Sequence, residues 1–244
     1  MEKFSLYDLL AVLFPGIIFL YMLNSIRELF GLFPLSELTD KWELLIVMAA
    51  VAGAVIYVIS FLLTSKVKWL YKVTGLYQHI SGLYQSADIH ETVGTELNKK
   101  ATEWYGKDIF FSKSEYNQFS DTQKDEVCEF QDNFYDRMYY ELDYAGKLTT
   151  PKSFQSFYLF FRNVFVATTI SIVILLLLYL INLIPLFNFS TLDGNDTIIT
   201  SIALIFIFLC STHIARWYRE RTIVKMYWYF YTHINLKLNT NGSK

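Results

Sequence analysis

The sequence predicts an all-α membrane protein with four transmembrane helices and a small helical cytoplasmic domain inserted between the second and third spans. Of its 244 residues, 53% are hydrophobic and 18% aromatic, and the mean hydropathy is +0.28. Soluble domains rarely contain so large a share of apolar side chains. The apolar residues are concentrated in four runs, and a charged section separates the second run from the third.

Each of the four runs is long enough to cross a bilayer. A hydrocarbon core about 30 Å thick requires roughly 20 apolar residues in a helix. The predicted spans are residues 9–26, 44–63, 164–186 and 198–214. Residues 1–72 and 158–244 would each form a transmembrane hairpin, and residues 73–157 would form the domain between them. The fourth helix is expected to continue past the bilayer to about Leu236 as a C-terminal cytoplasmic helix.

Small residues and one proline distinguish the first two spans. Pro15, followed by Gly16, removes a backbone hydrogen bond from the first span and is expected to bend it. Ala49 and Gly53 in the second span are four residues apart, so they form a surface that another helix can approach closely. Packing within the chain is the simpler interpretation of this surface, and contact between subunits is the alternative.

The distribution of lysine and arginine predicts the orientation of the chain. The loops on one side of the membrane contain only Arg27 and Lys41. Many more cations flank the spans on the other side: Lys66, Lys68, Lys72, Lys147, Lys152, Arg162, Arg216, Arg219, Arg221 and Lys225. Because the positive side faces the cytoplasm, we expect the middle section and both termini there. The N-terminus has neither a basic cluster nor a cleavage site, so no removable signal peptide is expected.

The middle section is acidic and has a helical pattern. Between Val73 and Lys147 there are fourteen aspartates and glutamates against seven lysines and arginines. Ser120 is a typical N-cap residue, and a second helix is compatible with residues 86–104. Apolar side chains follow Ser120 at intervals of three and four residues, which predicts an amphipathic helix: Val127, Phe130, Phe134, Met138 and Leu142.

Eight of the flanking cations are candidates for ligand binding, because they would form a ring just under the inner membrane surface. Two interpretations remain open. In the first, the cations only contact anionic lipid headgroups, which attract such side chains by about 1 kcal/mol each. In the second, the ring binds a nucleotide or phosphate, and the neighbouring aromatic residues stack on bases. The candidates are Lys66, Lys68, Lys72, Arg162, Arg216, Arg219, Arg221 and Lys225.

Four other residues are candidates for a pore or gate. Asp8, Pro15 and Asn24 belong to the first helix or its edge, and His213 lies at the inner end of the fourth span. Ionisable groups in a span usually face protein or water. If the bent first helix lines a pore, Asp8 and Asn24 would mark its mouths. Otherwise these residues, like His213, lie at the interface with the headgroups.

The sequence contains no signature of an enzyme. HExxH, GxxxxGK[ST], GxSxG and GxGxxG motifs are absent. Cys128 and Cys210 show no spacing typical of a metal or redox site. We therefore expect no catalytic activity, no metal and no cofactor.

Three segments at the helix ends stand out: Tyr7-Asp8-Leu9-Leu10 followed by Pro15-Gly16, Phe161-Arg162-Asn163, and Arg216-Trp217-Tyr218-Arg219-Glu220-Arg221. They resemble small membrane effectors of bacterial anti-phage operons, in particular the HalB-type effector of Hailong systems. The resemblance covers mainly the helix ends. It implies an oligomeric ion channel of the inner membrane, held shut by a single-stranded DNA oligomer that a partner nucleotidyltransferase makes. Of the site residues, only the basic set is carried over to this chain.

The resulting hypothesis is a homo-oligomeric channel gated from the cytoplasm. One four-helix subunit is too thin to enclose much water, and a tetramer is the simplest symmetric assembly. The alternative is a membrane anchor or scaffold that conducts nothing and docks a soluble partner protein on its acidic domain.

Overall fold

The computed structural model describes residues 9–32, 42–67, 74, 76, 91–184 and 194–241 of the chain, and these residues contain helices and no strand. The elements are a π-helical turn at Leu9–Leu13 and seven α-helices: α1 Phe14–Leu29, α2 Trp42–Lys66, α3 Glu91–Tyr105, α4 Lys113–Asn117, α5 Asp121–Tyr144, α6 Thr149–Asn182 and α7 Gly194–Asn241.

Four helical segments are long and apolar enough to cross a membrane, which confirms the predicted all-α class with four membrane helices. They are the π-helical turn with α1, then α2, α6 and α7. At 1.5 Å per residue, α6 is about 51 Å long and α7 about 72 Å. Both exceed a hydrocarbon core of about 30 Å, so each helix has a part outside it.

The chain divides into two compact units. The first, here called the membrane unit, comprises Met1–Leu76 and Ser156–Trp217, and the second, here called the polar unit, comprises Tyr77–Gln155 and Tyr218–Lys244. This division differs from the predicted domains by a few residues at the boundaries of the middle section and in the position of the fourth helix's end. The C-terminal part of α7 belongs with the middle section, whereas the sequence placed it with the second hairpin.

Glycines allow α1 and α2 to pack with their backbones in close approach. A Cβ atom added to Gly16 would lie 1.9 Å from the carbonyl oxygen of Ala49, and one added to Gly53 would lie 2.0 Å from that of Val12. No side chain fits at such distances. The small surface of the second span therefore packs within the chain, as its simpler interpretation held.

The first span changes its helix type at Pro15. The turn at Leu9–Leu13 is π-helical, and Pro15 occupies the first turn of α1, where a missing N–H breaks no α-helical bond. The side-chain amide of Asn163 on α6 donates a hydrogen bond to the carbonyl oxygen of Ala11. A partner helix thus satisfies a backbone group beside the proline, as a lipid environment requires.

The polar unit has its own apolar core. Phe134, Met138 and Leu142 are fully buried on one face of α5. Ser120 caps this helix by a capping box with Gln123, so the predicted N-cap and the amphipathic helix are both confirmed. The remaining core comes from α3, the loop after it and the C-terminal part of α7, including Val93, Leu97, Ile109, Phe110, Ile223, Met226, Tyr227 and Phe230.

One helix begins earlier than the predicted span, and another agrees with its prediction as far as the described residues go. Helix α6 begins at Thr149, well before the predicted span at Val164, because Gly146 with φ 67° ends α5 and Pro151 fits in the first turn of a new helix. Helix α3 covers Glu91–Tyr105, while residues 86–90 of the predicted helix lie outside the described residues. The fourth helix continues to Asn241, so its predicted continuation is confirmed.

Candidate functional site

The eight cations predicted to form a ring have different environments. Lys66, Arg216 and Arg221 are exposed, and Lys225 is half-buried. Lys68 and Lys72 lie outside the described residues. The set is also divided between the units, since Lys66, Arg162 and Arg216 belong to the membrane unit and Arg219, Arg221 and Lys225 to the polar unit.

Arg162 is the most unusual of these cations because it is buried in the membrane unit. Its side chain is only 1% exposed. The guanidinium carbon lies 5.4 Å from the ring centroid of Tyr57 on α2 and 5.7 Å from that of Tyr158 on its own helix. Such distances are typical of cation–π contacts. The Nε and Nη2 atoms are buried and have no hydrogen-bond partner among the described residues.

Other polar side chains are buried in the same unit. Asn163, next to Arg162, donates to the carbonyl oxygen of Ala11, while its own Oδ1 is buried and accepts no hydrogen bond from a described residue. Ser60 lies one helical turn beyond Tyr57 and is fully buried. Its hydroxyl oxygen has no hydrogen-bond partner among the described residues. A low-dielectric surrounding makes such unpaired groups costly.

Arg219 is also buried, but in the polar unit. Burial raises the pKa of Tyr135 to about 12, and the positive charge of Arg219 opposes that rise. Arg219 therefore has a different environment from the exposed cations of the set, and its place in a ring under the inner membrane surface stays a prediction. Helix α7 packs the face that carries Arg219 against α5, so Arg219 belongs to the interior of the polar unit.

The pore and gate candidates that the structure describes have different environments, and their role stays a prediction. Asp8 lies outside the described residues, and Pro15 is buried between helices. Asn24 donates to Glu28 at 2.6 Å and accepts from Arg27 at 2.7 Å, both on its own helix. That arrangement is typical of a hydrated helix end. His213 is exposed on α7.

A set of polar contacts fixes the loop between α3 and α4. The Asn98 side chain accepts hydrogen bonds from the backbone N–H groups of Ile109 and Phe110 and donates to the carbonyl oxygen of Phe110. The Gln131 side chain donates to the carbonyl oxygen of Ile109 at 2.7 Å. These bonds hold Ile109 and Phe110 in the core of the polar unit.

An open pocket of about 220 Å³ lies beside this loop. Lys107 and Glu126 form an ion pair of 2.5 Å among the residues that line it, and Lys107 lies 3.6 Å from the ring centroid of Phe130. Ligand sites usually enclose about 300–1,000 Å³, so this pocket is small for an organic ligand. Within the described ranges, no group of three histidine, cysteine, aspartate or glutamate side chains could hold a metal ion.

The sequence did not identify Ser60 or the pairing of His233 as features of interest. His233 is buried, with Nδ1 at 3.1 Å from Nζ of Lys147 and Nε2 at 3.5 Å from a carboxylate oxygen of Glu141. Lys147 is 86 residues away along the chain, so no local pattern indicates this contact. The sequence does show that Ser60 lies on the same helical face of the second span as Gly53, seven residues away, and this could have indicated a buried hydroxyl group.

Comparisons of the chain with protein-family models, with curated protein sequences and with solved structures find no match.

Proposed function

We propose that this protein forms a homo-oligomeric ion channel in the cytoplasmic membrane of a bacterium. It acts as an anti-phage effector and is gated from the cytoplasm by a nucleotide or a single-stranded DNA oligomer. The subunits form a tetramer, and both termini and the polar unit lie in the cytoplasm. The observation that carries the proposal is the apolar surface that a single chain leaves uncovered on its membrane helices.

That surface is extensive on two helices. On α7 only 17% of the most apolar stretch is buried, and the exposed side chains include Ile198, Ile202, Ile205, Phe206 and Leu209. On α2 an exposed stripe at helical spacing lies opposite the face that packs on α1: Val47, Val51, Val55, Val58 and Leu62. Lipid covers part of this surface, and the rest is available for contacts between subunits.

Helix α7 offers a route by which a cytoplasmic ligand could act on the membrane helices. It contributes Leu204 and Ser211 to the interior of the membrane unit and Met226, Tyr227 and Phe230 to the core of the polar unit. A ligand that binds two arrangements of this helix with different affinities would shift the population between closed and open channels.

The exposed cations are the ligand contacts in this proposal. Arg216, Arg221 and Lys66 are accessible and can pair with phosphates. The exposed Trp217 and Trp228 on α7 offer faces on which bases could stack. Chemistry of this kind is sequence-tolerant and depends strongly on salt.

Mass and conductance together test the channel. The protein is purified in detergent, its mass is measured by light scattering with the detergent subtracted, and it is reconstituted into planar bilayers. The proposal predicts four subunits and discrete current steps that are absent in empty bilayers. A monomer with silent bilayers would reject it.

The ligand is tested separately. We expect the double variant Arg216→Gln with Arg221→Gln to bind short single-stranded DNA about tenfold or more weakly than the unmodified protein, because each phosphate contact releases counterions. The matched control Arg137→Gln removes an exposed cation that lies over Trp104 in the polar unit. An affinity that neither salt nor the double variant changes would contradict electrostatic capture.

The alternative is a non-conducting anchor or scaffold that docks a soluble partner protein. One observation favours it, which is an exposed acidic and aromatic face on α5 formed by Asp125, Glu129, Asp136, Tyr140 and Tyr144. A partner with a basic surface would match this face. Stoichiometric recovery of such a partner from cells, together with an unchanged membrane potential on expression, would favour the scaffold over the channel.

A further inference from the structure

Arg162 is the only charged residue of α6 between Ser153 and Asn182. A charged side chain within a membrane helix is costly and normally has a partner. This arginine is 1% exposed, so water does not solvate it from the surface of the chain. The two tyrosine rings beside it supply weak electrostatic attraction, and neither accepts a hydrogen bond from its Nε or Nη2.

The two unpaired nitrogen atoms indicate what kind of partner would fit. Nε and Nη2 lie on the same edge of the planar guanidinium, and their N–H bonds are parallel. Both are buried, and neither has an acceptor among the described residues. This edge matches two oxygen atoms of one oxyanion in a bidentate arrangement. A spherical anion such as chloride has no pair of oxygen atoms to accept the two parallel N–H bonds.

We propose that the Nε and Nη2 edge of Arg162 binds a phosphate group in the membrane unit. The phosphate belongs either to an anionic phospholipid headgroup or to a soluble phosphate compound, since both present the same pair of oxygens. Ser60, whose buried hydroxyl is also unpaired, lies on α2 one turn from Tyr57 and is a candidate for an additional donor. The site stands whether or not the protein conducts ions.

Three variants separate the possible explanations. Arg162→Lys keeps the positive charge but loses the planar guanidinium group with its two parallel N–H donors. Arg162→Met replaces a buried charge by an apolar side chain of similar length, which buried sites tolerate well, so it guards against misfolding as the cause of lost binding. Arg27→Gln is the matched control, because this arginine of the same unit has no free bidentate edge: its Nη2 donates to Asn24, and only its Nε is buried without a partner among the described residues.

The experiment has two arms, each carried out on full-length protein stripped of lipid in a neutral detergent. In the first arm, phosphatidylglycerol is added, with diacylglycerol as the control that lacks the phosphate. In the second arm, inorganic phosphate is added, with chloride at equal ionic strength as the control. The dissociation constant is obtained from the rise in the thermal unfolding midpoint with ligand concentration L, because a ligand that binds only the folded protein stabilises it by RT ln(1 + L/Kd). Native mass spectrometry counts the lipids retained per chain.

A response in the lipid arm alone identifies a headgroup phosphate, and a response in the phosphate arm alone identifies a soluble compound. In either case we expect Arg162→Lys to bind about tenfold to hundredfold more weakly, since a hydrogen bond to a charged group contributes about 1.5–3 kcal/mol. Arg162→Met should not respond, and Arg27→Gln should respond like the unmodified protein. The proposal is overturned if Arg162→Met responds as the unmodified protein does, if diacylglycerol acts as well as phosphatidylglycerol, or if neither probe raises the midpoint.

Discussion

Asn98 shows how one side chain can organise a loop of the polar unit. Its amide group makes three hydrogen bonds to the backbone of Ile109 and Phe110. Both of these residues are almost fully buried. A buried backbone group without a partner is costly, so the Asn98 side chain makes it possible for the chain to bring two apolar residues into the core without a strand or helix at that point.

The variant Asn98→Ala should therefore destabilise the polar unit. Removing the side chain takes away the acceptor of two buried N–H groups, and we expect a loss of about 2–4 kcal/mol in the free energy of unfolding. Thermal unfolding in detergent, followed by circular dichroism, measures this effect. Asn133→Ala, at an exposed position of α5, is the matched control and should change the midpoint little. Equal midpoints for the two variants would contradict the role of Asn98.

Cys128 is expected to be a poor nucleophile. Burial raises the pKa of its thiol and nearby Asp132 and Asp125 add to the rise, whereas a hydrogen bond with the hydroxyl of Tyr116 at 3.2 Å lowers it. Only the thiolate reacts. In a Cys210→Ser background, alkylation by iodoacetamide at pH 8 should be slower than in the denatured protein, and its rate should still be rising above pH 9.

The Tyr116→Phe variant provides the control for this assignment. Removing the hydroxyl removes the one contact that favours the thiolate, so alkylation of Cys128 should become slower still. Alkylation as fast in the native protein as in the denatured one would show that the thiol is not protected.

Among single residues, the sequence predicted contacts between residues that are close along the chain and missed contacts between residues that are distant along it. Ser120 was recognised as an N-cap because its capping partner is three residues away. The burial of Arg162 was not predicted, because hydropathy identifies a charged residue without showing which face of the helix it occupies. The ring of Tyr57 beside it comes from another helix.

Among the helices, the contact between α1 and α2 depends most strictly on residue size. Gly16 and Gly53 each lie against a carbonyl group of the other helix at a distance that leaves no room for a Cβ atom. Helices in lipid associate by van der Waals packing of such small residues, because lipid tails provide no hydrophobic drive between them.

We expect Gly53→Ala to separate these two helices or to force a shift of the backbone. Overpacking of this kind costs about 1–3 kcal/mol. The measurement is the thermal unfolding midpoint together with the fraction of protein that elutes as a single species in size-exclusion chromatography. The control Ala54→Val adds carbon atoms at an exposed position of the same helix. A Gly53→Ala protein as stable as this control would show that the close contact is not required.

At the element scale, the four spans were predictable because each is a long uninterrupted apolar run. The start of α6 was not, because residues 149–163 mix polar and aromatic side chains and carry no continuous hydrophobic signal. The π-helical turn was also unexpected. Pro15 indicated a disturbance of the helix, but the form of that disturbance depends on the contact with α6 through Asn163.

For the whole molecule, the division into two units follows from the length of α6 and α7. Both helices are longer than a hydrocarbon core requires, and residues from their outer parts join the middle section in the polar unit. The sequence predicted the membrane helices and the acidic middle section. It could not show that Tyr227 and Phe230 complete the core of that section, because aromatic residues near a membrane also occur as interfacial belts.

In the proposed topology, four helices cross the membrane and the polar unit lies in the cytoplasm. Labelling of single cysteines in intact cells by a membrane-impermeant maleimide tests it most directly. In a Cys128→Ser and Cys210→Ser background, three exposed positions are used: Glu28→Cys, Lys113→Cys and Asp196→Cys.

We expect positions 28 and 196 to react in intact cells once the outer membrane is permeable, because both would face outwards. Position 113 should react only after the inner membrane is opened. Reaction of position 113 in intact cells, or recovery of the protein in the supernatant after membranes are pelleted, would show that this topology is wrong.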